Sequence, residues 1–539
     1  MRHTIALCLL LAVAAPAAAQ DKGKDAAAAR GGQDHKEQMK AEAEAAWVRP
    51  PVEEAQAVSH GAVTVNGERI AYTATAGTLT IRDDDAKPTA SYFYTAYTRD
   101  GAAPGARPVT FFYNGGPGSP TIWLHMGSFA PVRVTTANPE YIRPAPYGFG
   151  PNPHSLIDKS DLVFIDAVGA GWSRPLGEKT GKDFWGVDQD ADGFARAIMR
   201  YTSKFGRWSS PKFLFGESYG TLRNPVVAAK LEQAGFSLNG MVQFSTILNY
   251  GVRQSGYDQN YLTLFPTMAA TAWYHNRLAN RPADLRSFIN EVRAFTTGPY
   301  AAALAKGSTI SAEEKQAIAR KMAEYTGISE AFILRADLRL TLSHFQTELL
   351  RDRRLAVGRL DSRYLLNMTD ANADSPSDDP ASTAVSGAFV ATFQDYATKT
   401  LGFKTDMPYR MTARGPGWSW DWKHNPPGDE GSQLAPNSAA DLAYTMRTNP
   451  YMKVLFINGY YDFATPFFGT EFDVSHMLLD PQLQKNVRFT YYEAGHMVYM
   501  NPDALAQMHR DLDGWYDEAL AAAASSRPPA RPGTRGTAN

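Results

Sequence analysis

Short apolar runs that open into glycine-rich or polar turns recur along the chain: VTFFYNGGPG (109–118), DLVFIDAVGAGWS (161–173), KFLFGESYG (212–220), GMVQFSTI (240–247) and KVLFINGYYD (453–462). Runs this short, without strict alternation of polar and apolar positions, predict strands buried on both faces with functional loops at their carboxyl ends. Ahead of them, 63–83 and 91–98 alternate more regularly, and the Asn66-Gly67 pair predicts a tight hairpin among the opening strands. Phe194, Ile198, Tyr201 and Phe205 fall at helical spacing between Asp190 and Phe205, so at least one crossover is a helix. The pattern predicts an α/β core built on a mostly parallel central sheet.

That rhythm stops after residue 250. Residues 287–305, 311–327 and 339–354 read as long helices, and 371–384 as a loop rich in Asp and Ser. The expected organisation is a core in two parts, 58–250 and 431–520, interrupted by a helical cap insertion at 251–430. Residues 20–57, rich in Ala, Lys, Glu and Gln with no apolar period, read as a low-complexity leader, and 521–539, rich in Ala, Arg and Pro, as a disordered tail. Residues 1–19 carry Arg2, an apolar run from Ile5 to Ala15, and small residues at Ala17 and Ala19, the pattern of a cleavable secretory signal. The run is shorter than the roughly 20 residues needed to span a bilayer. The expectation is an exported protein, periplasmic or extracellular, without a membrane anchor after cleavage.

Composition narrows the chemistry. Of 539 residues, 44% are hydrophobic and 20% charged, enough to bury a large core. Lys and Arg total 54 against 55 for Asp and Glu, which leaves no broad basic surface for nucleic acid. The only cysteine, Cys8, lies in the signal, so the mature chain would have no thiol for a nucleophile, a metal thiolate or a disulfide. No His-Glu-x-x-His is present, and Gly177–Lys182 (GEKTGK) is one residue short of a phosphate loop and is followed by Asp183. No metal and no cofactor are expected. The 12% of aromatic residues can line a cleft for organic substrates, although packing alone could also consume them.

Gly216-Glu217-Ser218-Tyr219-Gly220 follows the apolar run Lys212–Phe215 and precedes a helical stretch, Thr221–Ala234. In a strand-turn-helix with small residues on either side, the turn pushes the serine hydroxyl out to where a base can reach it. A serine needs an imidazole to take its proton, and the imidazole needs a carboxylate to fix its tautomer. Asp462, after the run Val454–Ile457, and His496, after Val487–Tyr492, follow Ser218 in the order such a triad takes on an α/β-hydrolase fold. The oxyanion of the intermediate would be met by the amide of Tyr219 and by one from the loop Asn114–Gly118, where Gly116 is the candidate.

Five segments in order, NGGPGSPTIWLHMGSFAPVRV, GPNPHSL with VFIDAVGAGWS, GESYGTLRNPVVA, VLFINGYYDFATP and EAGHMVYMNP, resemble the serine carboxypeptidases, α/β-hydrolase peptidases that remove residues from peptide C-termini. The resemblance implies Ser218 as nucleophile, Asp462 as acid, His496 as base, and Gly116 with Tyr219 as oxyanion amides. It also implies that Asn114 and Glu217 bind the substrate's terminal carboxylate, with one proton shared between the two carboxyl groups. The chain departs from that pattern at Ser128, where a second Glu is usual, at Phe112, where Trp is usual, and at Arg223-Asn224, where His-Tyr is usual. Arg223 reads as an outward helical arginine or as a positive charge for a carboxylate. The expected activity is that of an exported serine carboxypeptidase acting on peptides. An esterase or acyltransferase on the same triad, or a catalytically dead binding protein, are the rival readings. The sequence carries no signal of oligomeric state.

Overall fold

The computed structural model describes residues 49–254, 256–415, 418–428 and 431–525; the expected signal at 1–19, most of the expected leader and residues 526–539 of the expected tail lie outside them. Apart from Gly415, the described residues belong to one compact unit.

The sheet runs through β1 (Gln56–Val65), β2 (Glu68–Arg82), β3 (Pro88–Arg99), β4 (Val109–Tyr113), β5 (Asp161–Ile165), β6 (Lys212–Ser218), β7 (Gly240–Thr246), β8 (Lys453–Gly459) and β9 (Val487–Tyr492), in the spatial order β1-β2-β3-β5-β4-β6-β7-β8-β9. β1, β2 and β3 are antiparallel to their neighbours, and all pairings from β5 to β9 are parallel. The turn at Asn66-Gly67 takes positive φ at both residues (50° and 83°), as a two-residue hairpin loop requires. This is the α/β-hydrolase fold, with an extra hairpin strand on one edge.

Every residue of β4 and β5 is buried, which is why their sequences lack alternation. On one face Phe112 is stacked between Phe164 and Phe215, each 4.7 Å away, tying β4 to both neighbours. On the other, α1 (Val187–Lys204) lays Phe194 against Tyr92 and Tyr113, and Tyr201 against Tyr94 and Phe111. α2 (Tyr219–Gln233) follows β6 directly and is buried almost all round.

Between β7 and β8 the chain is less uniformly helical than 251–430 was expected to be. α3 (Asp258–Tyr274), α4 (Leu285–Phe295) and α5 (Ala312–Thr326) build their own apolar cluster, which continues into Tyr461, Phe463 and Phe467 after β8. α6 (Pro380–Asp395) instead packs Val385, Phe389 and Phe393 into the main core. From Gly402 to Asn437 the described residues form no helix and are held by isolated bridges such as Gly171 to Arg410 and Gly186 to Asp421. Prolines at 408, 416, 426, 427 and 436, with glycines among them, deny this stretch the amide donors and apolar period of a helix.

Two expected boundaries shift. The leader was drawn to residue 57, but Glu54 already docks, accepting bonds from Thr80 N (2.9 Å), Arg200 Nε (2.9 Å) and Lys204 Nζ (2.8 Å). Burial works against its charge, yet these partners hold its carboxyl down at about 2. The tail was drawn from 521, but the last described helix runs Pro502–Ser525, and Leu512, Trp515, Tyr516 and Ala519 pin it to the core. No helix among the described residues is long and apolar enough to cross a membrane.

Phe112→Ala should lower the unfolding free energy by about 3–5 kcal/mol, because it opens a cavity between two fixed aromatic rings. A urea melt that shifts by less than about 1 kcal/mol would mean the two neighbouring strands close the gap.

Candidate active site

The carboxyl ends of β4, β6, β8 and β9 converge on one cleft of about 240 Å³, lined by Asn114, Gly115, Gly116, Glu217, Ser218 and His496 among others. Ser218 sits at the end of β6 with φ 61° and ψ −127°, a strained conformation for a side chain with a Cβ, costing about 1–3 kcal/mol. The neighbouring glycines explain the turn. A Cβ on Gly216 would lie 2.2 Å from the carbonyl oxygen of Gly220, and one on Gly115 would lie 2.3 Å from the amide nitrogen of Tyr219. Any larger residue would push the first turn of α2 away from β6 and from the loop after β4. Tyr219 is the first residue of α2, where amides have no partner within the helix and the dipole is positive. Gly116 lies in the loop packed on that turn, with φ 109°.

Asp462 and His496 meet after β8 and β9. His496 Nδ1 is 2.8 Å from Asp462 Oδ2, and both side chains are buried. Asp462 also accepts bonds from the amides of Ala464 (2.8 Å) and Thr465 (3.0 Å) and from Thr465 Oγ1 (2.6 Å). Burial alone would raise its pKa; His496 and the Thr465 donors more than offset this and hold the carboxyl below its ordinary value. Burial would likewise lower the imidazole's pKa, but Asp462 and Glu217 hold it above the ordinary value. Thr465 was not singled out from the sequence. Its signal was the Asp-x-x-Thr spacing, which lets a hydroxyl fold back onto a carboxylate.

Glu217 is buried beside Ser218. Asn114 Nδ2 donates to its Oε2 (2.7 Å), and the Tyr499 hydroxyl reaches both carboxyl oxygens (3.1 Å). Burial pushes this carboxyl up to about 7, against the opposing pull of His496, Tyr499 and Asn114. Tyr499 is a second residue the sequence did not reveal. Gly127 makes room for it, since a Cβ there would lie 2.6 Å from the ring. Ser128 does not join this network; its hydroxyl turns back to the carbonyl of Leu124 (2.6 Å).

Arg223 corrects the reading of an outward helical arginine. Its side chain is fully buried, with Nε 2.6 Å from Asp190 Oδ2 and Nη1 donating to the carbonyl of Asn114 (2.8 Å). Its guanidinium lies over the Phe194 ring at 4.2 Å. It is not free to meet a substrate; it anchors the backbone of Asn114 to α1. Asn114 Oδ1 accepts from the amide of Leu124 (3.0 Å), so this residue is held at backbone and side chain alike.

The insertion adds an aromatic wall. Trp418 stacks near Trp185 (4.8 Å), Trp420 meets Tyr219 edge-on (5.2 Å), and Trp422 lies against Tyr250 (4.7 Å). His424 fixes the end of this stretch between Asp188 (2.6 Å) and Asp441 (2.8 Å). Burial opposes its charge, but the two carboxylates raise it to about 9. Arg414 donates to the carbonyl of Gly116 (2.8 Å) and holds the loop from outside. Among the described residues no group of three or more His, Cys, Asp or Glu side chains is placed to hold a metal ion.

Residues 67–289 match the family model described as serine carboxypeptidase. That segment includes Asn114, Gly116, Glu217, Ser218 and Tyr219 and ends before Asp462 and His496. Serine carboxypeptidase-like 44 of Arabidopsis thaliana is 32% identical over 140 residues, which are 25% of this chain and 27% of that protein. The chain thus spans about a quarter of the length of this relative, and over 67–289 it resembles the serine carboxypeptidases, as its motifs imply. Among solved structures, a proline iminopeptidase from Mycobacterium smegmatis is 14% identical with a TM-score of 0.35, over 83% of this chain and 99% of the other. A soluble variant of monoglyceride lipase from Saccharomyces cerevisiae is 11% identical with a TM-score of 0.34, over 82% of this chain and 94% of the other.

If Asp462 serves as the acid partner of His496, Thr465 positions it. Thr465→Val removes one charge-assisted bond and should reduce kcat by on the order of tenfold while leaving KM within twofold. Thr465→Ser should restore the rate. Equal kcat in Thr465→Val and wild type would remove the hydroxyl from the positioning of Asp462.

Proposed function

We propose that the chain is an exported serine carboxypeptidase that hydrolyses the C-terminal bond of peptides through an acyl-enzyme. Ser218 Oγ attacks the carbonyl carbon as His496 Nε2 takes its proton. Asp462 holds the opposite ring nitrogen and stabilises the imidazolium. The amides of Gly116 and Tyr219 meet the oxyanion at the positive end of α2. His496 then returns the proton to the departing amine, and water, activated by the same imidazole, releases the acid. The pattern of residues 1–19 supports export.

One observation carries the choice of peptidase over esterase. A buried carboxyl group, shared by Asn114 and Tyr499, stands beside the attacking serine with its pKa raised to about 7. Ester hydrolysis has no use for it. A protonated carboxyl donates to a carboxylate, and the terminal carboxylate of a peptide would bring that partner to a fixed distance from the scissile bond.

The pH dependence follows in sign. kcat/KM reports groups of the free enzyme. Below about 7 Glu217 is protonated and donates; above it the charged carboxylate repels the substrate's. Activity on a peptide with a free C-terminus should therefore fall through pH 7, while activity on its C-terminal amide should only rise as His496 loses its proton. Glu217→Gln, which donates without titrating, should abolish the alkaline decline on the free peptide and alter the amide profile little. The basic test is labelling by a fluorophosphonate, expected in wild type and absent in Ser218→Ala. Labelling without any preference for the free acid over the amide would leave a serine hydrolase of another substrate class.

A further inference from the structure

Three of the residues that line the cleft, Arg359, Leu360 and Ser382, come from the insertion. The turn that carries Arg359 is fastened to both catalytic loops. The amide of Phe463, next to Asp462, donates to the carbonyl of Arg359 (3.0 Å), and the amide of His496 donates to that of Leu360 (2.6 Å). From below, Asp379 Oδ2 accepts the amides of Arg359 (2.9 Å) and Leu360 (2.8 Å), while its Oδ1 caps α6 through Ala381 and Ser382. Asp361 accepts the amide of Gly495 (3.1 Å) and pairs with Arg363, which in turn donates to the carbonyl of Glu493 (3.0 Å). The Arg359 backbone is therefore fixed relative to Asp462 and His496.

Its side chain is treated differently. Arg359 is exposed, and its guanidinium has no hydrogen bond or ion pair among the described residues. Of the side chains lining the cleft it is the one permanent cation, with Glu217 the one carboxyl and His496 the third titratable group. Behind the acid loop stand Asp462, Tyr250 and Arg253, the last reaching the carbonyl of Ala464 (3.4 Å). Asp379 below is engaged by four backbone amides. An unpaired guanidinium facing a cleft whose only carboxyl is buried fits a planar anion, which a guanidinium can meet with two parallel bonds.

We infer that Arg359 is a specificity-determining residue that binds the terminal carboxylate of the peptide as its counter-ion, an inference that rests on the carboxypeptidase reading. Asn114 and Glu217 then meet the substrate carboxylate through hydrogen bonds, and Arg359 offsets its charge. The two contributions divide by pH. When Glu217 is protonated, the two carboxyl groups share one proton and carry a single negative charge; when it is ionised they carry two. When Glu217 is ionised, Arg359 is the cleft's remaining source of positive charge, and free-acid substrates depend on it.

The experiment compares wild type, Arg359→Gln and Arg359→Lys on one peptide as free acid and as C-terminal amide at pH 5.5 and 8.5. Because the guanidinium is solvent-exposed, Arg359→Gln should raise KM for the free acid about three- to tenfold at pH 8.5 and less at pH 5.5, with Lys recovering part of the loss. The amide should change by less than twofold at pH 8.5, which also reports that the variant is folded; at pH 5.5 any change should be a fall, because the Arg359 charge works against the His496 proton. If wild type prefers the free acid and Arg359→Gln retains that preference undiminished at both pH values, the role of Arg359 is overturned and the carboxypeptidase reading stands. If wild type itself does not distinguish acid from amide, the carboxypeptidase reading falls and the inference falls with it.

Discussion

The joint between β6 and α2 leaves no room for a Cβ on Gly216 or on Gly115 across from it. The Ser218 side of the site is set by that contact. It forces Ser218 into positive φ, brings the amide of Tyr219 against the loop after β4, and places Glu217 and Asn114 side by side. The strain is held by what surrounds it. α2 is buried on nearly every side, Arg223 bolts its first turn to α1 and to Asn114, and the sheet behind it is filled by stacked aromatic rings. A loosely packed turn would relax to ordinary dihedrals and withdraw the hydroxyl.

Much of the fold was legible because buried parallel strands write a distinctive pattern. The five apolar runs became β4, β5, β6, β7 and β8, and the Asn66-Gly67 turn formed where its residue types demand. Asp462 and His496 could be proposed because a serine at such a turn needs a base and an acid, and these two follow Ser218 in the required order after strands. Arg223 was misread for the opposite reason. A charged residue on a helix defaults to solvent, and only the unbroken burial of Tyr219–Ala229 around it shows that the helix has no outer face in this stretch. Tyr499 and Arg359 were invisible for a third reason: each reaches the cleft only through a loop or partner distant in sequence, which no local period encodes.

The insertion is more than a cover. Its first helices share a cluster with the residues that follow Asp462, its middle turn accepts backbone bonds from the loops that carry Asp462 and His496, and its last stretch lays three tryptophans against Tyr219, Tyr250 and Trp185. The Asp462 and His496 loops follow consecutive strands, but they are locked to each other through a segment about a hundred residues earlier in the chain. Cap and core therefore set the geometry of the site together.

Pro225, within α2, cannot donate to the carbonyl of Thr221 one turn earlier. Gln243 of β7 supplies the missing donor through Nε2 at 3.0 Å, while its Oε1 accepts from Asn224 (2.7 Å). The helix and the strand have exchanged a backbone bond for a side-chain bond, and while the proline stays the glutamine is needed. A proline lost by mutation would bring back an amide that competes for the same carbonyl, and a glutamine lost first would strand a buried acceptor. Such a pair changes in one order more easily than the other, so among diverging descendants of this chain positions 225 and 243 should be inherited as a couple, with the proline the first to go.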